Sequence, residues 1–475
     1  MKYVRSFLTC LLIAALLCLC ACKDPTPPAD PANPDPIDSF AMLLTDPERA
    51  SVSYGDFTVN TAVQNGITRD GDVYTITKGG EYTLSGTLNG CIVVNVPKEE
   101  KVKLILNGVH IRSEAGAPIS AYSADELTVK AETNTYNVVE DTRPYALSAQ
   151  EDAAVYAKDD LTFSGRGILI LSSQSGRGVH SSNDVTFKNI TLKIDAADTA
   201  VKGNDSVCVE SGDLLLISRT EDGIKTEHTD VSDKGKQRGD VTFAGGCVNL
   251  YTYADAVQAA HDVILQSSAF VTAYTGRYSA YPPTDTCIED ATGSAKGIKA
   301  ENRLLVTGGA LDILASDDAV KLNRGTFLEN GSTSLGSMSV TGGRVRLRTD
   351  CDALDITGDL SVSGGYLVLE VLTKDDASAA ALKVAGTCEV TGGTLLAFGG
   401  LEASDVLSAL SPSAPLSAGL YALVDEHGEP CTYVTLKAEH TACALLCPSL
   451  ADGTYTLTKE DATVLTVTLT SGVAQ

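Results

Sequence analysis

Between Asp152 and Leu322 a short phrase returns, each time setting polar residues ahead of a small apolar run. It reads Asp152-Ala-Ala-Val155-Tyr156, Arg177-Gly-Val179-His180, Asp198-Thr-Ala-Val201-Lys202, Asp222-Gly-Ile224-Lys225, Asp255-Ala-Val257-Gln258, Lys296-Gly-Ile298-Lys299 and Asp318-Ala-Val320-Lys321. The leading apolar position recurs every 22 to 24 residues, apart from two longer gaps before Val257 and Ile298. The second half of each unit repeats too: the pairs Gly245-Gly246, Gly308-Gly309, Gly342-Gly343, Gly364-Gly365 and Gly392-Gly393 are each followed by apolar residues at period two. Paired glycines supply a tight turn with positive φ, and period two is the mark of a strand. Helix signals are nearly absent. Three short strands in about 22 residues predict one coil of a parallel β-helix, and the fixed period predicts a stack of such coils.

Two units carry insertions. Glu227–Asp240 falls between the first and second strands of its unit, and Thr275–Ala295 lies ahead of the first strand at Ile298. Residues 50–400 read as one parallel β-helix, its less regular start (50–150) acting as a cap, since a bare end would expose strand edges and core. Residues 401–475 change character. Tyr421–Val424, Tyr433–Leu436 and Val464–Leu469, separated by turns, predict a C-terminal β cap or small β module.

Ahead of the repeats, Met1–Cys22 has the plan of a secretion signal: basic Lys2 and Arg5, then an apolar Phe7–Leu19 too short to span a bilayer. It ends in Leu19-Cys20-Ala21-Cys22, similar to a bacterial lipobox with Cys22 as the lipidated residue; an ordinary cleaved signal is the alternative. Residues 23–49 form a Pro-rich stalk, a spacer that does not pack. The expected location is extracytoplasmic, anchored to the bacterial cell membrane or surface by lipid alone, as a monomer. A net charge of −25 argues against a nucleic-acid partner and suits divalent cations. Tryptophan is absent, so any aromatic platform for a glycan has to be built from tyrosine. The cysteines after Cys22 are scattered without metal spacing and read mostly as small core residues, with Cys431, Cys443 and Cys447 as possible disulfide partners.

The acids ahead of the first strands carry the strongest chemical signal. Asp152, Asp198, Asp222, Asp255, Asp318 and Asp352 recur with the period, and Glu221-Asp222 and Asp317-Asp318 are doublets. Equivalent residues of stacked parallel strands lie roughly 4.8 Å apart. Two carboxylates at that distance repel by about 3 kcal/mol at an effective dielectric near 20. Calcium, which seeks six to eight oxygens, would relieve that crowding, and the candidate ligands are Asp198, Glu221, Asp222, Asp255, Asp317 and Asp318. The alternative is that these residues only form turns. A basic row follows each first strand: Lys202, Lys225, Lys299 and Lys321, with His180, Gln258 and Lys383 in register. Where an Asp precedes, a straight strand would hold the Lys about 10 Å from it. The row is either a solvated ladder or a stripe for uronate carboxylates through Lys225, Lys299 and Lys321, with Lys225 or Lys299 as the base of a calcium-dependent lyase. Arg277, Tyr278 and Tyr281, in the second insertion, either stack on sugar rings or pin their loop.

Eight stretches carry a resemblance: Gly86–Leu88, Leu104–Val109, Glu132–Thr135, Lys158–Gly165, Asp222–Lys225, Asp255–Ala259, Ser294–Ala300 and Asp317–Lys321. Together they resemble a bacterial family of secreted, calcium-binding carbohydrate-binding proteins with a right-handed parallel β-helix. Its founding clostridial member binds cellulose and pectic acid, and its fold is similar to the pectate lyases of polysaccharide lyase family nine. The resemblance implies calcium at the Asp-Gly-Ile turns, where Asp222, Asp255, Asp317 and Asp318 hold the corresponding positions. The chain departs from the family at Asp255-Ala, where Gly is more usual, and at Arg177, which no acid precedes. The expected function is non-catalytic polysaccharide binding with Ca2+. A lyase is one alternative and a structural or adhesive surface protein the other. Recurrence of Lys on many units looks like a ladder rather than one catalytic base.

Overall fold

The structure, a computed structural model, describes residues 56–144, 151–283, 287–288, 293–322, 324–327, 333–373, 378–403 and 409–475. The signal, Cys22 and the stalk lie outside the described residues. The chain is all-β; among the described residues a single 3-10 turn, Gly276–Tyr278, is the one helical element. Strands gather into a 14-stranded and a 23-stranded sheet, with a separate two-stranded hairpin.

The first strands of the repeats form the 14-stranded sheet. Apart from an antiparallel pair at its start, Ile67–Asp70 with Val73–Ile76, neighbours pair in parallel, and the apolar positions align residue for residue: Val155 with Val179, then Val201, Ile224, Val257, Ile298, Val320 and Leu354. The second and third strands of the repeats build the larger sheet. In the earlier repeats they are separate strands, Asp184–Lys188 and Ile190–Ala196. From Asp240 onward they run together as single strands of 11 to 13 residues, such as Asp240–Thr252 and Arg303–Ala315. The glycine pairs therefore bend a strand instead of ending it. At Gly309 φ is +73°, and a Cβ there would lie 2.3 Å from the Ala269 carbonyl oxygen. Only glycine turns the chain at that point while keeping the ladder close on both sides.

Inward-facing side chains stack into one continuous core running from Ile76 to Leu446. Phe163 and Phe187 lie stacked at 5.4 Å, with Val209 and Phe243 continuing the same row. Parallel register places like residues over like, so each repeat buries its apolar face only because its neighbours do.

The C-terminal part is built differently. Strands Gly419–Val424, Pro430–Leu436, Gly453–Lys459 and Ala462–Thr470 pair antiparallel, and Cys443–Leu446 joins them to the repeats by pairing antiparallel with Leu395–Phe398. Their core, including Tyr421, Leu436, Leu457 and Leu469, closes on Val368, Leu396 and Phe398 of the last repeats. Buried Glu370 locks the joint: its Oε1 accepts from the Lys437 and Ala438 N–H groups at 2.6 and 2.9 Å and lies 3.1 Å from His440 Nε2. Cys431, Cys443 and Cys447 are free thiols, and the last two are packed in the core as small apolar groups.

Candidate functional site

The acids gather at the corner where each third strand turns into the next first strand. A column of hydroxyls at the ends of the third strands shapes that corner. Ser218 Oγ donates to the Asp198 and Glu221 carbonyls at 2.9 and 2.7 Å, Thr252 Oγ1 to the Ala254 carbonyl at 3.0 Å, and Thr349 Oγ1 to the Asp317 carbonyl. These bonds help to satisfy the corner carbonyls, of which that of Glu221 also accepts from the Ala254 N–H at 3.2 Å.

The acids stand in two columns rather than one. Counting back from the aligned apolar residues, Asp152, Asp198, Glu221 and Asp317 lie three positions ahead of them. Asp222, Asp255, Asp318 and Asp352 lie two ahead, as do Arg177 and Lys296. The single extra residue in Asp152-Ala-Ala-Val155 and Asp198-Thr-Ala-Val201 shifts those acids sideways by one corner position. In the second column each carboxylate accepts from the backbone N–H one repeat further on. Asp222 accepts from Asp255 at 3.2 Å, Asp255 from Lys296 at 2.8 Å, Asp318 from Asp352 at 3.2 Å and Asp352 from Ala380 at 2.8 Å. These carboxylates tie the corner of one repeat to that of the next. Lys296 interrupts the column and reaches sideways to Asp317.

Crowding remains after this pairing. Burial, then neighbouring Asp317, pushes the Asp318 carboxyl up to about 6. Burial and then Asp198 and Asp222 raise Glu221, and burial, with Asp222 adding to it, raises Asp255. Burial also works against the charge on Asp317 and on Asp152, but Lys296 outweighs it at the first and His180 with Arg177 at the second, so both are held below the usual carboxylate range.

Of the six sequence-derived metal candidates, the structure converges two. Asp317, Asp318 and Cys351 offer ligand atoms within 4.8 Å of one another. Among the described residues Asp198, Glu221, Asp222 and Asp255 join no such set of three. The two carboxylates suit a hard cation; the Cys351 thiol, raised to about 11 by burial and then by the surrounding aspartates, does not. A second convergent set escaped the sequence reading. Asp240, His261 and Asp262 meet at the other end of the first strands, with His261 Nδ1 2.6 Å from Asp240, and Asp262 accepting from Arg303 Nη2 and Asn302 Nδ2, both at 2.6 Å. Its signal was the spacing of His and Asp by about one period.

The basic row is aligned as expected: His180, Lys202, Lys225, Gln258, Lys299 and Lys321 face each other strand to strand. Direct pairing with the preceding acid, which the spacing along a straight strand does not guarantee, does occur: Lys225 Nζ lies 2.8 Å from Asp222. Asp222 stands on the corner, where the chain folds its carboxylate back over the strand. Asp355 and Lys383 extend the row.

The insertion tyrosines pin their loop. Tyr281 packs edge-on against Tyr251 at 5.0 Å and covers Leu215 and Ile217, apolar residues on the outer face of the third strands. Tyr278 Oη and Arg277 Nε both reach Asp350, at 2.9 and 2.8 Å. Burial, more than any charge, pushes the Tyr278 hydroxyl up to about 12. Both rings are thus committed to the protein itself, Tyr281 as the cover of that apolar patch and Tyr278 through Arg277 and Asp350.

The family described as carbohydrate-binding domain-containing protein matches residues 70–339, more than half of the chain and the stretch that carries the ladder. The chain belongs to this family. A carbohydrate-binding domain-containing protein of Acetivibrio thermocellus is 34% identical over 151 residues, 30% of this chain and 53% of that relative, so the match spans about half of the relative's length. Among solved structures, the polysaccharide lyase-like protein from C. thermocellum, a gadolinium derivative, is 27% identical, covering 54% of this chain and 93% of its own, with a TM-score of 0.42. The family match thus falls on both features built above, the acidic corner and the basic row.

Proposed function

We propose that this chain holds polysaccharide without cutting it, on the outward face of the first strands. The carrying observation is that the family match at residues 70–339 coincides with the aligned row from His180 to Lys321. In this reading the repeats wind as a right-handed parallel β-helix, and the chain sits at the cell surface on a lipid attached to Cys22. A polymer laid along the face would meet related chemistry at each repeat, and weak contacts on one chain would add through effective concentration. Calcium would be held by Asp317 and Asp318, supplying positive charge where the carboxylates crowd, with Lys296 giving up its contact to Asp317. Cellulose or acidic pectic glycan is the expected polymer class.

A pull-down on polygalacturonate and on cellulose tests the reading, repeated with EDTA and with the Lys225→Ala/Lys299→Ala variant. Retention on at least one polymer, reduced in the variant, is expected. Retention on neither would overturn binding, and the appearance of 4,5-unsaturated oligogalacturonides would replace it with a lyase. Melting with and without calcium checks the metal: excess at about 100 Kd adds roughly 2.7 kcal/mol to a native-only site.

A further inference from the structure

The basic row differs from repeat to repeat in one respect, which is what each cation already touches. His180 Nδ1 lies 2.6 Å from Asp152, and Lys202 Nζ lies 2.5 Å from Glu227. Lys225 pairs with Asp222 at 2.8 Å. Lys321 is paired with Asp355, and Lys383 lies 2.9 Å from Asp352 and 3.4 Å from Asp355. The lysine charges among these are each neutralised within the protein, and the His180 ring is already engaged by Asp152. Lys299 forms no ion pair among the described residues; it favours the charge on Asp255 only through the field between them. Gln258, directly opposite Lys299 in the register, uses its backbone carbonyl to accept from Thr226, while its side-chain amide makes no hydrogen bond among the described residues. Both side chains are half-buried. The two insertions of the array bracket this same place: Glu227–Asp240 leaves two residues after Lys225, and Thr275–Ala295 returns just before Ile298.

We infer that the Gln258–Lys299 pair is the one anion subsite of the row, taking the carboxylate of a single uronate unit on Lys299 while the Gln258 amide bonds a neighbouring sugar hydroxyl. A cation already held by an internal carboxylate gains little from a second, since it must share or break a contact, whereas a half-buried ammonium that pairs with no carboxylate among the described residues gains a full charge-assisted bond. The inference rests on the polysaccharide-binding reading and sharpens it from a stripe to a point. The polymer is gripped by its charge at one repeat, and its flanking units lie over paired side chains that contribute hydrogen bonds and contact.

The test is the affinity of the full chain for polygalacturonate, at low salt and fixed calcium, measured by affinity electrophoresis for Lys299→Gln, Gln258→Ala, Lys225→Gln and Lys321→Gln. Lys299→Gln is expected to weaken binding about tenfold, the scale of one charge-assisted bond. Lys225→Gln and Lys321→Gln should weaken it by no more than about threefold, with Gln258→Ala between. Fully methyl-esterified polymer should bind wild type as weakly as polygalacturonate binds Lys299→Gln. Equal losses for Lys299→Gln and Lys225→Gln, or wild-type affinity in Lys299→Gln, would overturn the subsite while leaving polysaccharide binding intact. Absence of binding by the wild type to any polymer would instead remove the broader reading first.

Discussion

The repeats and the C-terminal strands are both all-β and both close on apolar cores, yet only the repeats carry columns of like chemistry. In the repeats, parallel register sets residue on equivalent residue, so Val155 to Leu354 stack, and so do His180 to Lys321. In the antiparallel strands of 419–474 neighbours run in opposite senses, and Tyr421 faces Val434 while Leu423 faces Thr432. Antiparallel pairing mixes side chains; parallel stacking multiplies them. A multiplied apolar residue is a core, and a multiplied acid is a repulsion that has to be answered, which is why backbone N–H groups and the lysines crowd around the corner. The recurring chemistry of this chain belongs to the part whose register repeats.

The joint between the two regions gives the largest expected effect. Glu370→Ala would leave the Lys437 and Ala438 N–H groups and His440 without their shared acceptor in a buried place, at a cost of about 3 kcal/mol. Calorimetry should then show the antiparallel unit melting ahead of the repeats, and a single unshifted transition would refute the lock. Glycine substitutions compare the regions next. Gly309→Ala meets backbone at 2.3 Å with φ +73° and should cost about 2 kcal/mol or more; Gly428→Ala, at φ +82° with open space around it, should cost about 1 kcal/mol by denaturant midpoint.

Acid chemistry separates the regions more gently. Asp318 has a folded carboxyl value of about 6, above its unfolded one, so the native state holds the proton more tightly. Stability should fall as pH rises from about 4 to about 6, and Asp318→Asn should flatten that slope. A slope unchanged in the variant would assign it elsewhere. The smallest effect is expected at Lys188, whose pair with Glu210 at 2.9 Å is nearly half exposed on both sides. Lys188→Ala should shift the midpoint by less than about 1 kcal/mol.

The stacked first strands were legible in the sequence because the spacing of Val155, Val179, Val201 and Ile224 is itself the register. The basic row was legible for the same reason. What each lysine touches was not: Lys321 pairs with Asp355, 34 residues on, and only the folded length of the intervening chain puts Asp355 beside it. The two acid columns were read as one because the phrases differ by a single residue, which in a strand pattern looks like looseness and at a corner is a separate address. Sequence leaves open whether the insertion tyrosines stack on sugar or pin their loop, because nothing local shows that Leu215 and Ile217 face outward; those residues sit in a run, Leu214–Ile217, that is buried on both faces.

The matched register also makes the chain's length adjustable in whole steps. His180 to Val201 is 22 residues, and excising them would set Lys202 directly after Val179, in the place His180 held, with Ile224 next in line to stack on Val179. Growth by duplication would follow the same arithmetic. Such a chain can lengthen or shorten its working face without redesigning its interior, and because aligned positions already lie 22, 23 or 24 residues apart, a miscount by one residue is absorbed at a corner, whereas the same slip inside a strand would turn that strand's inward side chains toward water.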